Sequence, residues 1–570
     1  MLLELNLLIE VFMRVNKKNK SPNLINLILI VVPFIIFWQC LFYEFVWDDV
    51  FHISDNTYLN SISIEKLMRL WMEPYGGLYI PFSYTVWGCL KLISESIYGT
   101  TNPFLFHLVN IILHIINGFL VFHLLKFFIK NKWATLGGTL VFLVHPIQVE
   151  SVAWVSEFRG LLSVCLGLSA LHLYLKVENN FDKYYWSGLI LFALAILSKP
   201  SAVSFVFFAI ILDKVINQYS TKKTISKIIP WIIAVIPIAV ISIGEQSSKA
   251  LAIDIWLRPL IWMDAINFYL YKIINPISLY AIYGRTPEYV LGLWYPYLSW
   301  VIPVIIGLIL WKQKRMIPIL WLSFCLFICG FLPNSGFVPF TFQKISTVAD
   351  RYIYLSMIGV SLAFAYGLLY VCKRNLKIVV IGYIIFLMGF SINAQAPIWK
   401  TSLILWNKTI ARNSQSSIAY YNRGVELTKQ NENTKALMDY NMAIELNPKY
   451  VGAYNNRGNL FSTLKEYKLA LNDYGLAIEL SPEDATTYYN RGMVFFERKQ
   501  YSKALNDFNK AIKLNSKYSD AYNNKGAIFI FFKQYDKALE MFNKVIEFDP
   551  QFVPANKNRE LVYGILKYVK

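Results

Sequence analysis

The sequence predicts an all-α protein in two parts: a polytopic transmembrane helical domain followed by an α-solenoid of paired helices. Three observations carry this. The 570 residues are 56% hydrophobic and 16% aromatic, too apolar for a soluble enzyme. The apolarity is concentrated between Leu24 and Ala394, where long hydrophobic runs alternate with short basic loops. From Asn413 onward the chain turns polar, and Gly424, Gly458, Gly492 and Gly526 recur every 34 residues.

The first span covers roughly 24–43. Lys17, Lys18 and Lys20 precede it, which places the N-terminus in the cytoplasm and Asp48 and Asp49 just beyond the outer end. Its apolar run is of spanning length and no small-residue cleavage site follows, so it does not read as a cleavable signal. An outer loop follows, in which 64–71 reads as an interfacial helix, as 258–274 does later. The second span covers 103–128. Further runs at 133–146, 160–177, 185–198, 201–216, 228–244, 296–311, 316–332, 353–371 and 377–393 bring the total to about eleven spans. With that parity Lys176/Lys183, Lys222/Lys223/Lys227, Lys312/Lys314/Arg315 and Lys373/Arg374/Lys377 lie inside and the C-terminal part outside. Loop lysines thus account for much of the net charge of +19, and no nucleic-acid partner is needed. Cys40, Cys89, Cys165, Cys325, Cys329 and Cys372 all lie in or beside apolar runs, which excludes a disulfide framework or zinc site.

The polar residues of the membrane part gather at the outer face. Asp48-Asp49 is an acidic pair at a bilayer edge, where a charge is costly unless it is used. One carboxylate can take the proton of an attacking hydroxyl, and a second can orient it or hold a divalent metal. The stretch from His145 to Arg159 carries His145, Glu150, Glu157 and Arg159 between two apolar runs, with the glutamates seven residues apart on one helical face. Lys199 ends one span and Asp350-Arg351 precedes another. With Arg159 they give three cations at one depth, suited to an anionic phosphate. His107, Asn110, His114 and Asn117 form a polar stripe on the second span, the pattern of an inter-helix hydrogen-bond seam.

The period of the C-terminal half is that of tetratricopeptide (TPR) repeats. Ala436, Ala470, Ala504 and Ala538 keep the same spacing, and aromatics at fixed phase fill the space between paired helices. The predicted organisation is a membrane domain over 1–395, a helical half-repeat connector over 396–416, four repeats over 417–552 and a capping helix over 553–570. Asn422, Asn456, Asn490 and Asn524 stand two residues before each repeat glycine. Such a carboxamide ladder suits the backbone of an extended peptide.

Asp48-Asp49 after the first span, His-Pro…Glu…Arg over 145–159, Lys199 at a span end, Asp350-Arg351-Tyr352 and an outer TPR array together resemble one family. It is the GT-C glycosyltransferases, and within them the transmembrane-and-TPR-containing protein O-mannosyltransferases and their bacterial relatives. The resemblance implies a GT-C-like fold and inverting transfer of a sugar from a polyprenyl-phosphate donor to a protein Ser/Thr hydroxyl on the extracytoplasmic face. It implies Asp48 as general base, with Asp49 orienting it or assisting a metal. Arg159, Lys199 and Arg351 would hold the phosphate, with His145, Glu150, Glu157 and Asp350 in support, and the array would deliver the acceptor. Two positions depart from the family pattern: Gly160 follows Arg159 in place of an acid, and Ile80-Pro81 stands where Arg-Pro is common. Two other functions fit the same residues. One is a glycosyltransferase for surface polysaccharide or lipid whose TPRs recruit partners; the other is a non-catalytic, membrane-anchored TPR scaffold.

Overall fold

The computed structural model describes residues 24–60, 63–177, 182–247, 253–337, 340–370 and 374–569. Lys17, Lys18, Lys20, Cys372 and Lys373 lie outside the described residues. Every regular element described is helical, and the only β-type pairing among the described residues is an isolated bridge between Tyr75 and Leu78. The chain divides into two compact units between Lys408 and Thr409.

In the first unit a helix stands at each expected span position. Four stretches are long and apolar enough to cross a bilayer: Leu24–Phe42, Pro103–Phe128, Thr221–Glu245 and Val379–Trp399. A fifth results if Lys132–Val144 and Pro146–Ala153, bent by 49°, count as one. The other helices are shorter; Lys183–Ser198 has 16 residues and Met357–Leu368 has 12. At about 1.5 Å per residue these reach roughly 18–24 Å, against about 30 Å of hydrocarbon. They are short because the chain breaks where polar residues must be delivered. Lys183–Ser198 ends at Lys199, which is extended because Pro200 disfavours helix in the residue before it.

One helix occupies what the sequence presents as loop. Pro81–Tyr98 starts on a proline at its first position and buries Tyr84, Trp87, Lys91 and Ser94 along one side. Lys91, Ser94 and Glu95 interrupt its apolar pattern. The Lys91 ammonium donates to the Ile53 and Ser54 carbonyls, both at 2.9 Å, and to Asn60 Oδ1, so this helix anchors the chain just after Asp48. Ile64–Met72 forms with Ser63 as its cap and leaves Ile64, Met68 and Met72 exposed. Arg258–Ile274 forms too, but it buries Ile261, Ala265 and Tyr269, so one face packs on protein.

Three members of the polar stripe on Pro103–Phe128, Asn110, His114 and Asn117, form a seam that places later segments, while the fourth, His107, makes no side-chain bond across it to a described residue. The Asn110 amide donates to the Val152 and Trp154 carbonyls, both at 3.2 Å. The Asn117 amide donates to the Leu161 carbonyl at 3.1 Å. His114 bonds the Tyr354 hydroxyl at 2.8 Å and the Leu143 carbonyl at 3.0 Å. In an apolar medium an unpaired polar group costs several kcal/mol, so these bonds specify which segments lie side by side.

The second unit holds four helix pairs: Ser417–Lys429 with Asn433–Leu446, Val451–Thr463 with Tyr467–Leu480, Ala485–Glu497 with Tyr501–Leu514, and Ser519–Phe531 with Tyr535–Phe548. Val553–Val569 follows. Each repeat glycine faces a ring. A Cβ at Gly424 would stand 2.8 Å from Tyr440, and one at Gly458 2.9 Å from Tyr474. Arg423, Arg457 and Arg491 each grip both oxygens of one aspartate (Asp439, Asp473, Asp507) at 2.7–2.8 Å. The fourth repeat has Lys525 and a buried Met541 at those positions.

Candidate active site

Asp48 and Asp49 open a helical turn that runs into a π-helical stretch over Val50–Ser54. The residue before them, Trp47, has a left-handed backbone at φ +56°. For a bulky side chain this conformation costs about 1–2 kcal/mol. The two carboxylates have different fates. Asp49 is fully buried; its Oδ1 accepts from the Ser156 N–H at 2.7 Å and the Ser156 hydroxyl at 2.5 Å, and its Oδ2 accepts from the Val46 N–H at 3.0 Å. Asp48 is half-buried and makes no hydrogen bond or ion pair to any described residue.

Around them lies a buried ion cluster. Glu157 Oε2 meets Lys199 Nζ at 2.6 Å, and its Oε1 meets Arg159 at 3.5 Å and Arg351 at 3.7 Å. Glu150 accepts from the Arg351 guanidinium through one oxygen and from the Arg351 N–H at 3.2 Å through the other. That guanidinium also lies over the rings of Phe342 (4.4 Å), Tyr352 (5.0 Å), Trp154 (5.2 Å) and Trp47 (5.8 Å). Three cations face two glutamates, and Asp48 would balance the remaining charge. Arg159 keeps the spare capacity: its Nε and one terminal nitrogen are buried without a partner among the described residues. A small, partly open space of about 30 Å³ lies between Glu157, Gly160, Lys199, Arg351 and Tyr352.

The electrostatics separate the carboxyls. Burial raises Asp48 above its ordinary value, Arg159 and Arg351 pull it back, and Glu157 pushes it up again. Asp49 is pushed up to about 7 by burial, which outweighs its three hydrogen bonds. Burial alone would raise Glu157 too, but Lys199, Arg159 and Arg351 together hold it below the usual carboxylate range. His52 is pushed down to about 3, by burial first and then by Arg159.

The structure thus brings Asp48, Arg159, Lys199, Arg351, Glu150 and Glu157 together. His145 does not join them through its ring: Nδ1 accepts from the Ile147 N–H at 3.2 Å and Nε2 bonds the Ile273 carbonyl at 3.0 Å, so it folds the turn. Asp350 accepts from the Tyr283 hydroxyl at 2.7 Å and ties the loop around 283 to the Arg351 segment. The aspartate pair does not fit a divalent ion. The oxygens of Asp49 are taken by protein donors, and no three Asp, Glu, His or Cys side chains gather among the described residues. Gly160 has a local reason, since a Cβ there would stand 2.8 Å from Glu157 Oε2 and 3.2 Å from Lys199 Nζ. Ile80 is buried ahead of the Pro81 helix.

Sequence reasoning missed Trp47, Ser156, His52 and Tyr84. The His52 Nδ1 meets the Tyr84 hydroxyl at 2.9 Å, and both residues sense Arg159. The signal for His52 was its spacing, one helical turn after Asp48.

The asparagines of the array also differ from expectation. Asn456 donates to the Tyr421 hydroxyl at 3.0 Å, Asn490 to Asn455 at 3.1 Å and Asn524 to the Tyr489 hydroxyl at 3.0 Å; Asn558 repeats the step to Asn523 at 2.8 Å. Each bond reaches 35 residues back, into the preceding repeat, so one amide hydrogen stitches repeats together. At Asn456 and Asn490 the carbonyl and the second hydrogen are what remain for a ligand, whereas Asn524 also donates to the Met493 sulfur at 3.1 Å and accepts from the Asn523 amide at 3.4 Å. Asn422, in the first repeat, makes no such bond.

Residues 83–244 match the family described as dolichyl-phosphate-mannose-protein mannosyltransferase. Residues 417–450, 485–518 and 519–552 match one tetratricopeptide repeat family and 451–484 another. The two kinds of match thus fall in the two units of the chain, the mannosyltransferase family model in the first and the repeat models in the second. It is similar to the Protein O-mannosyl-transferase F38B6.6 of Caenorhabditis elegans, 25% identical over 72% of this chain and 61% of that one. It is similar also to the Protein O-mannosyl-transferase TMTC3 of Homo sapiens, 28% identical over 32% of this chain and 20% of that one. The chain thus spans less than two thirds of the length of these relatives. Among solved structures, the TPR protein YrrB is 28% identical, covering 28% of this chain and 84% of that one, with a TM-score of 0.25.

Proposed function

We propose that this protein is an integral membrane glycosyltransferase that moves a sugar from a polyprenyl-phosphate donor to a Ser/Thr hydroxyl of a protein, on the extracytoplasmic face. The observation that carries this is the contrast within the acidic pair: Asp48 is unbonded beside an arginine with unused donors, while Asp49 is locked. In this scheme the acceptor oxygen attacks the anomeric carbon, its proton goes to Asp48, and the bond from that carbon to the phosphate oxygen breaks. The polyprenyl phosphate leaves with the bonding electrons. Arg159 takes the phosphate through its free N–H groups. Lys199 and Arg351 contribute charge to it through the cluster. Asp49 holds Ser156 and fixes the turn that aims Asp48.

The match to the mannosyltransferase family supports mannose as the first sugar to try. The TPR array is read as the acceptor platform, with the free carboxamide oxygens of Asn422, Asn456 and Asn490 meeting peptide N–H groups and Asn524 joining them once its contact with Asn523 opens. The short helices complete about eleven crossings, which leaves the N-terminus in the cytoplasm and the array outside. Asp48→Asn tests the assignment. Purified protein given polyprenyl-phosphate mannose and Ser/Thr peptides should lose transfer by at least about 10³-fold with its thermal unfolding unchanged. Full activity in that variant removes the assignment.

A further inference from the structure

Trp47 is held in its strained turn by rings from distant parts of the first unit. Its indole stacks on Trp154 at 4.7 Å and 9°, and the edge of Trp406 meets it at 5.4 Å and 75°. Trp154 stacks in turn on Trp399 at 5.6 Å and 20°. Trp154, Trp399 and Trp406 are buried. The Glu44 N–H donates to the Lys400 carbonyl at 3.1 Å, and the Gln39 amide to the Ile392 carbonyl at 2.7 Å. The segment from Ile392 to Trp406, far along the chain, is therefore bonded to the strand of chain that leads into Asp48.

A left-handed tryptophan persists only where its surroundings over-determine it. Here the turn at Trp47 has a chemical consequence. It sends Asp49 inward to Ser156 and Val46 and leaves the next carboxylate, Asp48, without a protein partner. Were Trp47 to relax to negative φ, the plane of the following peptide would rotate and Asp48 would leave the Arg159 side of the cluster. The stack on Trp154 fixes one face of the indole, and Trp406 closes its flank.

We propose that Trp406 is a positioning residue for Asp48, acting through the left-handed turn of Trp47, so that the segment after the last span completes the reaction centre. This rests on Asp48 being the base. It acts mainly on the rate of the chemical step, because Trp406 touches the site through Trp47, and Arg351 over that ring keeps its bonds to Glu150 and Glu157.

The test uses the full chain in detergent, with polyprenyl-phosphate mannose and a Ser/Thr peptide as probes. Trp406→Ala should lower kcat at least about tenfold with KM for the donor within about twofold, the split expected when only alignment is lost. The acid limb of its pH–rate profile should move to lower pH, since burial is the largest cause of the raised Asp48 value and its relief by water outweighs the loss of Arg159. Trp406→Phe, which keeps an aromatic edge, should recover most of kcat. Trp231→Ala, at a buried tryptophan stacked on Phe192, should lower stability and leave kcat per folded molecule unchanged. If Trp406→Ala does not fold, Trp406→Leu takes its place and the same losses are expected. Unchanged kcat in the folded variant, or a loss that Phe does not recover with the acid limb unmoved, overturns the proposal. Asp48→Asn run alongside separates the two claims. An active Asp48→Asn removes the base, whereas an inactive one with unaffected Trp406→Ala removes only the positioning role.

Discussion

Acid–cation pairs build both units, but their charges are distributed differently. In the array, Arg423, Arg457 and Arg491 each bind one aspartate with two parallel bonds, and both partners are satisfied. In the membrane unit two glutamates are shared among three cations, and Glu157 alone touches all three. Donors are left over on Arg159, and Asp48, which feels that charge, makes no hydrogen bond to a described residue. Saturated pairs hold a shape. Where saturated pairs immobilise an unsaturated neighbour, the neighbour is ready for a ligand at no further ordering cost.

The comparison breaks most visibly at Glu157. Glu157→Gln leaves three buried cations, Arg159, Lys199 and Arg351, facing only Glu150 and Asp48, and strips Lys199 of its bonded partner, a loss of about 3–5 kcal/mol by the behaviour of broken buried pairs. Thermal unfolding in detergent should fall accordingly, and transfer by the remaining folded protein should drop at least about 10²-fold. A variant as stable and active as the parent would mean that the cluster is not held by its shared acid.

Arg159→Gln asks about the unsaturated side. It should raise KM for the lipid donor about tenfold or more and cost less stability than Glu157→Gln, because it breaks only the 3.5 Å pair with Glu157 and otherwise removes donors the protein leaves unbonded. It should also move the acid limb of the rate profile. Asp48 works ionised, its pKa is already raised by burial, and Arg159 favours the anion. Activity is therefore lost as pH falls through that pKa, and without Arg159 the loss begins at higher pH.

Asp49 gives a third difference, in stability. Its pKa is about 7 in the folded chain and near 3.9 unfolded. The folded state therefore holds the proton more tightly, and the contribution is full below about pH 4 and lost as pH rises to 7. The parent should lose more stability between pH 5 and pH 8 than Asp49→Asn does, measured by thermal unfolding at both values.

Much of this organisation was legible in the residues, and the reasons differ by unit. The array announces itself because each repeat solves the same packing problem, a ring against a glycine. Its helices accordingly fall where the period of Gly424, Gly458, Gly492 and Gly526 puts them. The cluster was legible as composition, since ionisable residues between apolar runs need a reason. Its connectivity was not legible: the stripe of Asn110, His114 and Asn117 was visible, but its partners Val152, Leu161 and Tyr354, which set Glu157 beside Arg351, and the meeting of Lys199 with Glu157, are written in no local pattern. Nor could the sequence show which aspartate is free. That is decided by the backbone of Trp47, a residue no propensity would place at positive φ. The helix Pro81–Tyr98 stayed hidden because its buried Lys91 looks like a surface residue until Ile53 and Ser54 are seen to bind it.

The fourth repeat offers the smallest and most discriminating change. It lacks the arginine–aspartate clasp yet folds like the others, with Met541 buried where its neighbours bury an aspartate. If a clasp only holds shape, installing one should be nearly neutral: the gain of a bidentate pair is offset by desolvation and by the lost apolar burial of Met541. Lys525→Arg with Met541→Asp should therefore unfold within about 1 kcal/mol of the parent. Met541→Asp alone should lose about 1–3 kcal/mol, since it buries an acid facing a lysine in place of the fork. Neither should alter transfer. A double variant much more stable than the parent would show that closed pairs in this protein drive folding as well as specify it.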